Sequence, residues 1–117
     1  MNSVSIIITH LTGAERFLIG DVIMNDPSSR NREAEFSVSG MSKADLVNRL
    51  TATEAYLTAA LEALSLSDLE TQRIHPRHGN QVTVAWALLH ALEHAATHVG
   101  HIQITVQMWH QKVVGEG

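Results

Sequence analysis

Residues 83–112 read TVAWALLHALEHAATHVGHIQITVQMWHQK. Apolar side chains recur in this stretch at the spacings of three and four residues that mark one face of an α-helix. The stretch contains no proline, and Gly100 is its one glycine. It therefore predicts a single helix of about 45 Å, at 1.5 Å per residue, with Thr83 as its N-cap. The predicted core stripe consists of Ala85, Leu88, Leu92, Ala95, Val99, Ile102, Val106 and Trp109.

The same stretch carries four histidines on one face, His90, His94, His98 and His101. At 100° per residue they span an arc of about 80°, beside the apolar stripe. Their imidazoles should therefore point into or along the interior of a helix bundle, where an unpaired imidazole is costly. Two histidines four residues apart place two ring nitrogens on one side of a helical turn, a spacing that can hold one metal ion.

Two further helices are predicted. The first runs from about Ser3 to Met24, because apolar residues again recur at spacings of three and four. Its stripe consists of Ile7, Leu11, Ala14, Leu18 and Val22. The second opens with a capping box of Ser42 and Asp45 and ends near Leu64. Its stripe consists of Leu46, Leu50, Leu57, Leu61 and Leu64.

The segments between the predicted helices contain helix breakers and polar residues. Residues 25–29 read NDPSS, and residues 30–40 have no helical period, so we expect a loop with a short extended piece at Phe36–Val38. Residues 65–81 include Pro76 and Gly79 and predict a second loop. We expect the histidines outside the helical histidine face, His75, His78 and His110, to be loop and terminal residues without a ligand role.

Composition bounds the fold and the function. A chain of 117 residues suits one domain, so residues 1–117 are predicted to form a single all-α antiparallel helix bundle with three long helices. The net charge of −4 and the lack of a basic stripe argue against nucleic acid as a partner. No long uncharged apolar run or basic amino-terminal signal is present, so we expect a cytoplasmic protein with no membrane partner. There is no cysteine, so nitrogen or oxygen atoms must hold any metal ion.

A third metal ligand is available on the first predicted helix. His10 lies there on a face that adjoins the apolar stripe, so it can point inward towards the histidines of the third helix. We therefore predict that His10, His94 and His98 hold one divalent ion and leave a fourth position open to water or substrate. His90 and His101 are the alternative ligands.

The histidine-rich part of the third predicted helix also contains a competing motif. Residues 90–94 read HALEH, the H-x-x-E-H pattern of inverted zinc proteases, with Glu93 as the candidate general base. Such enzymes need a third ligand far downstream on a much larger fold, and this chain ends 23 residues after His94. We therefore expect Glu93 to orient a ligand imidazole, or to accept a proton if the protein is an enzyme.

Three segments together resemble the DinB-like superfamily: THLTGAERFLIGDVI at 9–23, REAEF at 32–36 and ALLHALEHAATHVGHIQITVQMW at 87–109. The resemblance extends from Ser3 to Trp109. Its most specific part is a histidine on a bundle helix followed, late in the chain, by H-x-x-x-H-x-G. Those positions are His10, and His94 with His98 before Gly100, so the resemblance also implies a metal triad at these three histidines.

The resemblance implies several further properties. They are a four-helix bundle, a homodimer, a zinc or nickel ion, and a thiol (S-)transferase activity on small molecules with a low-molecular-weight thiol as cofactor. The polar loop that contains Arg30, Arg32, Glu33 and Glu35 is then a candidate rim for the thiol. Family members carry another helix before the one with the first histidine, and we expect that helix to be missing or supplied by a partner chain. The partner should cover a groove along the first and third helices, near Met108 and Trp109.

Two functions remain open. The first is a metal-dependent transferase or hydrolase-like enzyme, in which the open metal position activates a thiol or water. The second is a non-catalytic, metal-stapled helical dimer module. An open position that faces a cleft favours the enzyme, whereas a closed, fully ligated ion favours the module.

Overall fold

Three long helices account for most of the fold in the computed structural model, which describes residues 2–116, with side chains up to residue 112. They are α1 (Val4–Arg16), continued by a π-helical segment (Phe17–Ile23), then α2 (Lys43–Ala63) and α3 (Val84–Glu116). The protein is 71% helical, so the predicted all-α class is confirmed. No helix within residues 2–116 is both long and apolar enough to cross a membrane.

The first helix begins where the sequence predicts but changes its winding. The Ser3 side chain accepts a hydrogen bond from the backbone N–H of Ile6, which caps α1. From Phe17 onward the turns widen, and the N–H of Met24 reaches the carbonyl of Ile19, five residues back. The wider turns bury four apolar side chains of this segment, Leu18, Ile19, Val22 and Ile23. A periodicity of 3.6 residues cannot reveal such a change in winding.

The second helix is predicted correctly at its start but not in its burial. Ser42 and Asp45 form the expected capping box, with reciprocal hydrogen bonds of 3.1 and 3.0 Å. The predicted leucine stripe is only partly covered, since Leu50 and Leu61 are 41% and 49% exposed. A polar contact joins α2 to α1, in which Arg49 donates to the Thr12 hydroxyl and the Thr9 carbonyl.

The face of α3 that packs against the rest of the protein differs from the predicted stripe. Val84, Ala87 and Ala91 are buried there, at 0%, 0% and 8% exposure. Leu92 and Trp109, two members of the predicted stripe, are 67% and 63% exposed, and Val99 and Val106 are also exposed. The predicted stripe is correct at Leu88, which packs against the core, but it missed the small side chains that form the most buried part of the helix. The correct face is also the one that carries His94 and His98, both half-buried.

Both segments that connect the long helices contain secondary structure that the sequence pattern did not predict. The expected extended piece at Phe36–Val38 is wrong, because a 3₁₀ turn (Glu33–Phe36) ends there. The segment predicted as a loop from residue 65 to 81 contains another 3₁₀ turn (Leu66–Glu70) and a hairpin of β1 (Gln72–Ile74) and β2 (Gln81–Thr83). The hairpin is held to the core by Val82, which is 7% exposed.

Besides the buried apolar residues Ile7, Ile8, Leu11 and Ala14 of α1, one apolar cluster joins the π-helical segment, α2, the hairpin and the start of α3. It is formed by Leu18, Ile19, Val22, Ile23, Ala60, Val82, Val84, Ala87 and Ala91. Beyond Ala91, the side chains of α3 up to residue 112 are half-buried or exposed, and they include Ile104, Met108 and Trp109 at 50%, 51% and 63% exposure. The histidine cluster therefore lies where the buried apolar residues of α3 end, while on α1 buried apolar residues continue at Ile7, Ile8 and Leu11 around His10.

Candidate metal centre

Three imidazoles converge between α1 and α3. His10 is contributed by α1, and its ring centroid is 5.0 Å from those of both His94 and His98 of α3. One nitrogen atom from each ring can be chosen so that all three lie within 4.8 Å of one another. His10 is buried, at 7% exposure. The structure therefore brings together the three histidines that the sequence singled out.

The nitrogens of the α3 pair have the separation of two ligands on one ion. Nε2 of His94 and Nε2 of His98 are 3.1 Å apart. Tetrahedral coordination with bonds of 2.0 to 2.1 Å places nitrogens about 3.3 Å apart. Two neutral lone pairs at this distance repel each other unless a proton or a cation lies between them. The donor set therefore fits a divalent ion that accepts imidazole nitrogen.

A buried carboxylate orients His10. Nδ1 of His10 lies 3.0 Å from Oε1 of Glu35, which is 6% exposed and belongs to the 3₁₀ turn. The carboxylate accepts, so Nδ1 carries the proton and Nε2 keeps its lone pair. Histidines that ligate metals usually donate their other N–H to a carboxylate or a carbonyl in this way.

Arg30 keeps this carboxylate ionised. Its Nε and Nη2 donate to the two oxygens of Glu35, each at 2.8 Å. Burial alone would raise the pKa of Glu35, but hydrogen bonds and charges from Arg30 and His10 outweigh it and lower the pKa below its usual value. The sequence reading placed Arg30 and Glu35 on a loop rim, whereas Glu35 lies against a triad histidine.

A glycine on α1 makes room for the carboxylate. A side chain at Gly13 would overlap Oε2 of Glu35, and its Cβ would lie 2.8 Å from Cδ of that residue. Gly13 belongs to the THLTGAE segment that also carries His10, three residues earlier. The loop and α1 can therefore approach closely at this position because no Cβ intervenes.

The two alternative ligands take different places. Nδ1 of His101 lies 3.4 Å from Nδ1 of His98. The exposed His101 can therefore orient the His98 ring through the nitrogen other than the one near His94. His90 stacks on Trp86 at 4.9 Å, and its centroid is 6.5 Å from that of His94. Within the described residues, Nδ1 of His94 is buried without a hydrogen-bond partner.

The two triad histidines of α3, His94 and His98, are neutral near pH 7. Burial, followed by the charges of His98, His10, His90 and Arg30, lowers the pKa of His94 to about 4. Burial, followed by the charges of His10 and His101, also lowers the pKa of His98. Neutral imidazoles are the form that binds metal ions.

Glu93 lies apart from the cluster. Its side chain is exposed, and its backbone carbonyl accepts a hydrogen bond from the Thr97 hydroxyl. Among the described residues, the carboxylate that contacts a triad histidine is that of Glu35, a role for which the sequence reading had proposed Glu93. A catalytic role for Glu93 stays a prediction.

Two pockets reach the cluster from different sides. One has a volume of about 360 Å³ and is mainly apolar, with Ile6, Ile7, Phe36 and Ile104 beside His10 and His98. The other, of about 170 Å³, is lined by His10 and His94 together with arginines and further histidines. Small molecules can therefore approach the three imidazoles from either side.

Fold and site together define a protein of the all-α class with a three-histidine cluster between α1 and α3. The model of the family described as "Protein of unknown function (DUF1572)" matches residues 1–114. The chain belongs to that family. Searches of curated proteins and of solved structures found no match.

The lowered pKa of His94 predicts that acid destabilises the metal-free protein. The unfolded chain binds a proton at His94 near pH 6.5, whereas the folded protein resists protonation down to about pH 4. The free energy of unfolding should therefore fall by about 1 to 2 kcal/mol between pH 7 and pH 4.5, since one pKa unit is about 1.4 kcal/mol and the ring is only half-buried. Urea unfolding over this pH range, with a chelator present, measures the fall.

The variant His94→Gln should reduce this pH dependence, with the remainder due to His98 and His75, whose pKa values are also lowered. The variant His110→Gln, at an exposed position, should leave it unchanged. Below about pH 4.5 a further loss is expected in both variants as Glu35, whose pKa is lowered in the fold, becomes protonated. An unaltered slope in His94→Gln between pH 6.5 and pH 4.5 would show that burial of this ring does not control acid stability.

Proposed function

We propose that the protein binds one divalent metal ion, zinc or nickel, on His10, His94 and His98. The observation that carries the proposal is the convergence of three imidazoles from two helices, with Nε2 atoms 3.1 Å apart on α3 and a buried carboxylate behind His10. Three histidines from two helices, with an oriented ring tautomer, are the arrangement of an open metal centre rather than of a packed core.

The donor set supports zinc or nickel over calcium and magnesium. Imidazole nitrogen suits zinc, nickel and copper, whereas calcium and magnesium prefer oxygen ligands. The nearest carboxylate, that of Glu35, is already engaged by Arg30 and His10 through both of its oxygens. All three proposed ligands are therefore nitrogen atoms.

Removing the α3 pair should abolish metal binding. Protein purified without a histidine tag and dialysed against zinc should hold one ion per chain. The variant His94→Ala/His98→Ala should fall to background because only one of the three proposed ligands remains. The matched control is His90→Ala/His110→Ala, which also removes two histidines but none of the proposed ligands. Inductively coupled plasma mass spectrometry measures the metal content. Equal zinc in wild type and in the His94→Ala/His98→Ala variant would refute the assignment.

We further propose that the metal centre serves a thiol (S-)transferase that acts on small molecules. The support is the resemblance to the DinB-like superfamily, together with the two pockets that meet at the cluster. A bound zinc or nickel ion would lower the pKa of a coordinated thiol or water. The chain has no cysteine, so the thiol must come from a low-molecular-weight cofactor.

An enzyme of this kind should show metal-dependent thiol chemistry. Metal-loaded protein, a panel of low-molecular-weight thiols and a chloro-dinitro-arene should react at least about tenfold faster than the same mixture with His94→Ala/His98→Ala protein, since a thiolate is the reactive form. Cobalt-substituted protein should also change its visible spectrum when the active thiol is added. No rate above the metal-free protein and no spectral change with any thiol would leave only the non-catalytic function.

The alternative is a metal-stapled helical module without turnover. It is favoured by the position of the cluster, because the buried apolar residues of α3 end at Ala91 and the histidines join α1 to α3 just beyond that point. An ion there would add a cross-link between α1 and a part of α3 that has no buried apolar side chain among the described residues. This alternative needs the same three ligands. It differs from the enzyme in predicting no metal-dependent rate in the thiol assay.

We also propose that a second copy of the chain covers the exposed face of α3. Leu92, Val99 and Val106 are 67%, 48% and 42% exposed along one side of this helix, and Trp109 is 63% exposed near its end. So much exposed apolar surface is unusual for a monomer. The DinB-like resemblance, with its expected homodimer and its additional helix, points to a helix of a partner chain as the occupant.

Light scattering at micromolar concentration should therefore give the mass of a dimer. The variant Met108→Glu/Trp109→Glu should shift the mass towards the monomer, because it would bury charges without partners in the interface. The control Leu66→Glu adds a charge at a position that is 87% exposed, outside α3, and should leave the dimer intact. A wild-type monomer with a cooperative unfolding transition would contradict the proposal.

A further inference from the structure

A cationic cleft adjoins the histidine cluster. Its pocket of about 170 Å³ is lined by three arginines and, besides the triad residues His10 and His94, by three further histidines. These six residues come from three separate parts of the chain: Arg30, Arg32, His75, Arg77, His78 and His90. The same pocket is lined by His10 and His94, so the cleft and the candidate metal centre share a wall. No carboxylate is among the described residues that line it.

The positive charge of this cleft is only partly compensated. Arg30 is paired with Glu35. Arg32 and Arg77 form no ion pair with any described residue, and Arg32 instead packs against the ring of Phe36 at 5.3 Å. Two unpaired guanidinium groups beside several imidazoles create a positive potential in a protein whose net charge is −4. An anion in the cleft would relieve this repulsion.

The hairpin loop adds a fixed hydrogen-bond donor. Nδ1 of His75 accepts hydrogen bonds from the backbone N–H groups of Arg77 and His78, at 3.2 and 3.3 Å. The neutral ring must therefore carry its proton on Nε2. Packing holds the ring, which stacks on His78 at 4.6 Å and contacts Phe17 at 5.4 Å.

The charge state of His75 agrees with this role. Burial, followed by the charges of His78, Arg77 and His90, lowers the pKa of His75, so the ring is a neutral N–H donor near pH 7. The loop is closed by hydrogen bonds between His75 and Asn80 and between Gly79 and His75, with Gly79 at a φ of 73°. The sequence reading treated His75 as a loop residue without a role, but at 6% exposure it is a buried part of the cleft.

We propose that this cleft binds the oxyanion group, a carboxylate or a phosphate, of the small molecule that reaches the metal centre. Guanidinium groups match both oxyanions through paired hydrogen bonds, and the imidazole N–H adds a third direction. The apolar pocket on the other side of His10 would take an uncharged part of the same ligand or the second reactant. The ligand class rests on the proposed metal function, whereas anion binding in the cleft does not.

Inorganic phosphate is the probe for the cleft itself. The full chain carries two tryptophans, so Trp109→Phe leaves Trp86, stacked on His90, as the fluorescent reporter. When phosphate is titrated into this protein after metal removal, at constant ionic strength, the fluorescence of Trp86 should change and then saturate. Half of the change should be reached at a phosphate concentration near or below about 1 mM. Acetate titrated in parallel shows whether the cleft prefers phosphate or carboxylate.

Two double variants separate the cleft from overall charge. Arg32→Gln/Arg77→Gln should raise the half-saturation concentration at least about tenfold. Lys43→Gln/Lys112→Gln removes the same charge from exposed positions outside the cleft and should change it less than about twofold. The single variant Arg32→Gln, at an exposed position, should weaken phosphate binding at least about threefold. It keeps the test valid if the double variant does not fold. Absence of saturation, or equal weakening in the lysine control, would overturn the proposal.

A pair of thiols links the cleft to the metal centre. With cobalt-loaded protein, 4-mercaptobutyrate should saturate the spectral change at about a tenfold lower concentration than 4-mercaptobutanol, and Arg32→Gln/Arg77→Gln should remove this advantage. Equal binding of the two thiols would refute the proposed ligand class. Arginine-dependent phosphate binding in a protein that holds no metal would support the cleft and refute the metal function, so the two failures are distinguishable.

Discussion

The contact of Glu35 with His10 is the interaction on which the rest of the site depends. The carboxylate is buried against α1, where Gly13 leaves room for it, and Arg30 holds both of its oxygens. It fixes the proton of His10 on Nδ1, so that Nε2 is free to act as a ligand. Loss of this carboxylate would leave Arg30 and His10 without their shared acceptor and would free the ring to rotate.

The position of the site follows from how the helices pack. Small residues of α3, Val84, Ala87 and Ala91, lie against the π-helical segment and the hairpin, and the same face continues as His94 and His98. The cluster therefore lies just beyond the last buried apolar residue of α3. There it is enclosed enough to keep His94 and His98 neutral, and two pockets still reach it. A basic cleft on one side and an apolar pocket on the other give the site two chemically different approaches.

The sequence predicts some of these features and not others. Helical periodicity suffices to place His94 and His98 side by side, because their relation depends on local geometry alone. The contact of His10 with Glu35 joins residues 25 apart through an irregular segment, so no periodicity reveals it. The pattern did not predict the core face of α3, because leucines outweigh alanines in a hydrophobic pattern. The strands of the hairpin are only three residues long, which is too short for an alternating hydrophobic pattern. Glu35 lies in the REAEF segment and in the polar loop predicted as a candidate rim, but neither feature predicts its contact with His10.

X-ray absorption spectroscopy of the zinc-loaded protein tests most directly that a histidine triad oriented by Glu35 forms a metal centre. We predict a first shell that contains three imidazole nitrogens at about 2.0 to 2.1 Å, with any remaining position occupied by a light atom from solvent. The multiple-scattering pattern of the rings should decrease in His94→Ala/His98→Ala. A shell of oxygen atoms without imidazole scattering, or one identical in that variant, would contradict the account.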